Sequence, residues 1–249
     1  MRTLLLAALL ISLVPAALAA CDDDSEPQEP VSRTQLGRGA ESVVVWEPAE
    51  RKLPTVVFLH GWGAVDPAAY GPWVRHLVRR GSAVVLPRYQ VSALSFPEEA
   101  LPNALRGVQS GLRRLPGPWV AAGHSAGGAL AADLAASAAA EGLRPPLAVF
   151  AACPGRGLAG LPFRIPEGDL GEIAPSTRIL AMAGARDRVV GQATARAIVD
   201  GASAVPRDRR SFRLVTRLDA SDHLAPQRPD GAAREIYWAA LDRLIADLG

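Results

Sequence analysis

The feature that most limits the fold of this chain is a series of short apolar runs that do not alternate with polar residues. LPTVVFLH at 53–60, SAVVLPRY at 82–89, PWVAAG at 118–123, LAVFAA at 147–152 and TRILAMA at 177–183 are nearly continuous. A strand with one wet face alternates, whereas runs of this kind suit strands covered on both faces, as in a parallel sheet. ESVVVW at 41–46 and SFRLVTRL at 211–218 extend the series. The segments between them carry helical spacing. Asp66 to Arg80 places Tyr70, Trp73, Val74 and Leu77 on one face, opens with Asp66-Pro67 and stops at Gly81. Pro97 to Leu115, Ala126 to Glu141, Gln192 to Gly201 and Ala232 to Leu248 read as further helices, and Gly155 to Ser176 as irregular chain. Strand–helix repetition predicts an α/β fold: a mostly parallel sheet with helices on both faces, in one domain with no large lid.

Composition closes off other classes. The 249 residues are 49% hydrophobic and 21% charged, which suits a globular chain and not a disordered one. Basic residues number 27 against 25 acidic, a net of +2. That balance, spread along the chain, excludes a nucleic-acid partner. Two cysteines cannot build a disulfide framework.

The N-terminus reads as an address. Arg2, the apolar run Leu4–Ala17 and the small residues Ala19 and Ala20 have the layout of a signal peptide. The run is short for a membrane span. Leu18-Ala19-Ala20-Cys21 resembles the bacterial lipobox, in which the cysteine is lipidated and becomes the mature N-terminus. DDDSEPQEP at 22–30 has no apolar side chain and reads as a tether. The expected organisation is a leader over 1–20, a lipidated Cys21 with its acidic tether over 21–34, and a folded domain over 35–249, held at the face of a bacterial cell envelope.

Gly123-His124-Ser125-Ala126-Gly127 lies between the PWVAAG run and a helical segment. G-x-S-x-G in that setting is a tight strand-to-helix turn that holds its serine at the tip beside the positive end of a helix. Glycine is needed at both ends because side chains there would collide with nearby backbone. A serine hydroxyl needs a base to act as a nucleophile. Of the four histidines, His76 falls mid-helix, His124 lies inside the turn and His60 ends a strand, which leaves His223 in the polar loop DASDHL as the base. The base needs a carboxylate to hold its tautomer. Asp187, after the TRILAMA run, ranks ahead of Asp219 and Asp222, because a near neighbour in sequence rarely folds back onto the ring. Two backbone donors for a developing oxyanion are expected at Ala126 and at Trp62 of His60-Gly61-Trp62-Gly63. The order Ser125, Asp187, His223 is the one expected of an α/β-hydrolase.

With these motifs placed, the chain resembles the α/β-hydrolase superfamily over nearly all of the domain. GHSAGG in a compact chain is similar to the dienelactone-hydrolase-like, chlorophyllase-like and cutinase-like polyester hydrolase branches. It departs from true dienelactone hydrolases, whose nucleophile is cysteine, and lacks the paired C-terminal cysteines common in cutinase-like enzymes. The resemblance implies hydrolysis of a small-molecule or polymeric carboxylic ester through an acyl-enzyme, with no metal or organic cofactor. A peptidase, an amidase or an acyl transferase would use the same triad, and a non-catalytic binding lipoprotein would keep the fold. Leu161, Phe163 and Ile165 are candidates for one pocket wall, as is the Trp62 indole. Cys153 reads as a small buried apolar residue, and Tyr70 and Trp73 as core or pocket wall.

Overall fold

A computed structural model describes residues 31–157 and 163–248. The expectations for the leader, Cys21, most of the tether and Leu161 lie outside the described residues.

Eight strands form one sheet: β1 Ser32–Leu36, β2 Val43–Glu47, β3 Thr55–Leu59, β4 Val84–Pro87, β5 Trp119–His124, β6 Ala148–Ala152, β7 Arg178–Gly184 and β8 Arg210–Val215. Their spatial order is β1-β2-β4-β3-β5-β6-β7-β8. Only β2 runs against its neighbours, pairing antiparallel with β1 and β4. From β4 to β8 every pairing is parallel. The continuous apolar runs therefore fall where both faces are covered. β3 to β6 are wholly buried, whereas edge strand β8 has mostly exposed or half-buried side chains.

The helices α1 Gly71–Arg79, α2 Ala100–Arg114, α3 Ala126–Ser137 and α4 Ala193–Gly201 alternate with the strands, and a closing helix follows β8. One face of the sheet packs on α2, α3 and α4 through Leu59, Val85, Leu105, Val108, Leu130, Leu134 and Ile198. The other packs on α1 and the closing helix and is rich in rings. Trp73 stacks on Trp238 at 5.8 Å and meets Phe58 edge-on at 5.1 Å.

The structure departs from the sequence reading in three places. The first strand is Ser32–Leu36, a segment that the sequence reading did not mark as a strand. SRTQL is polar because β1 is a partly exposed edge, so it lacks the apolar signature of the inner strands. The helix after the Ser125 turn ends at Ser137, short of Glu141, in a turn that reaches positive φ at Gly142. The closing helix is not uniform: Gly231–Ala233 is followed by a π segment, Arg234–Trp238, and then by Ala239–Ala246. The wider turn lets both neighbours Tyr237 and Trp238 face inward, with 0% and 1% exposure.

Candidate active site

Ser125 sits between β5 and α3 with φ 57° and ψ −124°, a conformation L-residues rarely hold. What holds it there is close packing that only glycine permits. A Cβ on Gly123 would lie 2.2 Å from the Gly127 carbonyl oxygen, and one on Gly127 would lie 2.0 Å from the Leu59 carbonyl oxygen. The Ser125 N–H donates to the Ala152 carbonyl at 3.0 Å, and the Ser125 carbonyl accepts from Gly155 at 3.1 Å. The turn is thus fixed against both neighbouring strands.

The loops after β7 and β8 bring Asp187 and His223 to this serine. Their approach depends on Gly184, where a Cβ would lie 2.1 Å from the Ser221 carbonyl oxygen. The Arg186 N–H donates to that same carbonyl at 2.9 Å. His223 Nε2 lies 2.9 Å from Ser125 Oγ, and Nδ1 lies 2.8 Å from Asp187 Oδ2. A carboxylate only accepts, so Nδ1 carries a proton, and in the neutral ring Nε2 is left to accept from the serine hydroxyl. Asp187 Oδ1 accepts from the Val189 and Val190 N–H groups at 2.9 and 3.0 Å. Burial works to raise the Asp187 pKa, but the hydrogen bond and charge of His223 and these two N–H donors outweigh it, and the carboxyl stays below its ordinary value. Asp222 and Asp219, the rivals by sequence, are taken by Arg228 and Arg217.

The loop after β3 faces the same serine. Its Gly61 N–H donates to Tyr70 Oη at 2.9 Å, its Gly63 N–H to Gln90 at 3.0 Å, and its Ala64 N–H to the Gly61 carbonyl at 3.1 Å. The Trp62 N–H takes no part in these bonds. The Ala126 N–H is the first of α3, one of the four that a helix leaves without an internal acceptor. The Trp62 indole donates to the Ala93 carbonyl at 2.9 Å and meets Phe163 edge-on at 4.6 Å. Phe163 and Trp62 therefore meet as one wall, while Ile165 is buried in the core under the same loop.

The remaining histidines are structural. The His60 ring lies between the Gly61 and Arg88 carbonyls and stacks on Tyr89 at 4.2 Å. His76 bonds Asp242 on the closing helix at 2.8 Å. His124 is buried between Tyr70 and His223, and burial above all pulls its pKa down to about 3. Cys153 is buried with its thiol pushed up to about 12 by burial, far from a reactive thiolate. Among the described residues no cluster of His, Cys, Asp or Glu has the makings of a metal site.

Sequence reasoning missed three supports: the Tyr70 hydroxyl, Gln90 beneath Gly63, and Gly184. Only Gly184 left a signal, as a glycine at a strand end next to Asp187. Chemically, a hydroxyl bonded to a neutral imidazole, itself held by a carboxylate, can pass its proton to that ring as it attacks a carbonyl.

No protein-family model matches the sequence, and no curated protein matches it. Solved structures do. Carboxyl esterase 2 from the fungus Tuber melanosporum is 16% identical, with 91% of this chain and 90% of that one covered and a TM-score of 0.69. Esterase B from Lactobacillus rhamnosis is 16% identical, with 90% and 88% covered and a TM-score of 0.64. A putative dienelactone hydrolase from Klebsiella pneumoniae is 17% identical, with 87% and 99% covered and a TM-score of 0.61. At such identities the likeness is one of architecture: the chain has the α/β-hydrolase fold.

Proposed function

We propose that the protein is a serine-dependent carboxylic ester hydrolase. The observation that carries the reading is the unbroken chain Ser125 Oγ–His223–Asp187, at 2.9 and 2.8 Å, on a strained turn that glycine packing enforces. Ser125 Oγ attacks the ester carbonyl carbon while His223 Nε2 takes its proton. The carbonyl π pair moves onto oxygen, and the Trp62 and Ala126 N–H groups receive that oxyanion. As the pair returns, the C–O bond to the alcohol breaks and His223 gives its proton to the leaving oxygen. Water, deprotonated by the same imidazole, then attacks the acyl-serine. The proton returns to Ser125 as the acid leaves. Asp187 stabilises the imidazolium and stays ionised throughout. Among the described residues no group other than these is needed to balance the steps.

Purified Ser125→Ala protein should lose about 10⁶-fold in turnover of p-nitrophenyl butyrate while keeping its thermal transition. Undiminished turnover in the variant overturns the assignment. A wild-type protein that cleaves acyl p-nitroanilides but not p-nitrophenyl esters would transfer the same chemistry to amides.

The reading includes export and lipidation at Cys21, supported by the LAAC sequence behind an apolar leader and by the acidic segment that follows. Among the described residues no helix is long and apolar enough to cross a membrane. Cells fed an alkynyl fatty acid should label the wild-type protein and not Cys21→Ser; label retained in the variant contradicts the anchor.

A further inference from the structure

The Ser125 turn contributes a second imidazole that the proposed chemistry does not use. His124 is fully enclosed, and its ring lies 5.0 Å from that of His223. Its Nε2 is 2.8 Å from the His223 backbone carbonyl oxygen, and its Nδ1 is 2.7 Å from Tyr70 Oη. Tyr70 Oη in turn accepts the Gly61 N–H at 2.9 Å.

The partners settle every proton. A backbone carbonyl only accepts, so His124 Nε2 carries hydrogen. Burial keeps the ring neutral, so Nδ1 is a lone pair and takes the hydroxyl hydrogen of Tyr70. That leaves the Tyr70 oxygen free to accept from Gly61. The result is one directed relay: Gly61 N–H to Tyr70, Tyr70 O–H to His124, His124 N–H to the His223 carbonyl. It starts in the loop that holds the Trp62 donor, passes through the turn that holds Ser125, and ends on the backbone of the base. The packing is as close as the bonding: a Cβ on Gly61 would lie 2.9 Å from Tyr70 Oη, 3.4 Å from Ser125 Cβ and 3.6 Å from His124 Nδ1.

We propose that Tyr70 and His124 are positioning residues that set the separation between the oxyanion donor at Trp62 and the base at His223 across Ser125. The inference rests on the ester-hydrolase reading for its catalytic consequence, though not for its geometry. The relay spends the Gly61 N–H and takes nothing from the next one, that of Trp62, which the mechanism assigns to the oxyanion. It holds His223 by its main chain, so the ring is free to gain and lose a proton while its Cα stays put. It also needs His124 neutral, since a cation 5.0 Å from His223 would oppose the imidazolium formed as Ser125 attacks. A misplacement of about 1 Å costs on the order of 100-fold in rate, so a strut of this kind has a measurable effect.

The test uses the whole exported protein and two readouts. In kinetics with p-nitrophenyl butyrate, Tyr70→Phe and His124→Leu should each lower kcat 10- to 100-fold with KM within twofold. The double variant should fall no further than the worse single, because either change breaks the same relay. His124→Gln, whose amide can donate to His223 and accept from Tyr70, should recover most of the lost kcat. A kcat for Tyr70→Phe within twofold of wild type, multiplicative losses in the double variant, or a His124→Gln protein as slow as His124→Leu each overturns the proposal. The second readout is independent of turnover: ¹⁵N NMR should show His124 as the neutral Nε2–H tautomer at pH 5. An Nδ1–H tautomer or an imidazolium there overturns the relay. A wild-type protein that shows the Nε2–H tautomer but cleaves no ester defeats the hydrolase reading alone.

Discussion

Two loops at the C-terminal end of the sheet are each pinned through a buried carboxylate, and they differ in the partner. The loop after β8 is tied by Asp187 to the His223 imidazole at 2.8 Å. The loop after β6 is tied by Arg156, whose two terminal nitrogens each lie 2.7 Å from an oxygen of Asp133 on α3. Both acids also accept on Oδ1 from backbone N–H groups, from Val189 and Val190 in one case and Gly168 in the other. A guanidinium keeps its charge at any working pH, so the Asp133 pair can only hold. An imidazole has a second ring nitrogen that can face a reacting group, so the Asp187 pair both holds its loop and places His223 Nε2 beside Ser125. The same device thus serves as a structural clamp on the loop after β6 and, in the proposed mechanism, as the couple that moves a proton beside Ser125.

Substitution at either pair should have opposite consequences for rate and stability. The largest effect is expected from Asp187→Asn, which can present its amide to His223 Nδ1 and select the wrong tautomer. kcat for p-nitrophenyl butyrate should fall about 10⁴-fold with little change in the denaturation midpoint. Arg156→Met should do the reverse. It leaves Asp133 buried and unpaired, which costs about 3–5 kcal/mol of stability by urea denaturation, while Ser125 still reacts. Replacing both members, as Asp133→Leu with Arg156→Met, should restore most of that loss; a double variant as unstable as Arg156→Met would show that the bonds to Gly168 and Pro166, and not the buried charge, carry the clamp.

A smaller effect sharpens the contrast through pH. Asp187 has a depressed pKa, so its stabilising contribution is complete above the ordinary carboxylate value near 3.8 and disappears as pH falls through its lower folded value. His124 is held neutral to about 3, whereas its unfolded ring takes a proton near 6.5. The unfolded chain therefore binds more protons below pH 6.5, and stability should fall on acidification by up to about 1.4 kcal/mol for each pH unit. Thermal melts of wild type and His124→Gln between pH 7 and 4 check this: the slope should be shallower in the variant, and equal slopes would remove His124 as its source.

How much of this was legible in the sequence follows the same divide. The inner strands could be read because burial on both faces forces continuous apolar runs, and β1 could not because an edge strand is free to be polar. Ser125, Asp187 and His223 could be placed because each ends or follows a strand in a fixed order, and that placement leads them to one point. Asp133 and Arg156 lie 23 residues apart, in an alanine-rich helix and an irregular loop, with no spacing rule to join them. Tyr70 looked like core, which it is; its hydroxyl matters only once the fold sets it between Gly61 and His124. Short-range patterns report turns and faces, while contacts across the sheet end depend on the completed packing.

The proposed chemistry requires that Ser125, and no other residue, be the activated nucleophile. The most direct measurement is labelling of the folded protein with a fluorophosphonate, followed by peptide mapping and repeated on His223→Ala. One label is expected, on the peptide bearing Ser125, at a rate that falls at least 100-fold in the variant. A label on another residue, or none in well-folded protein, contradicts it.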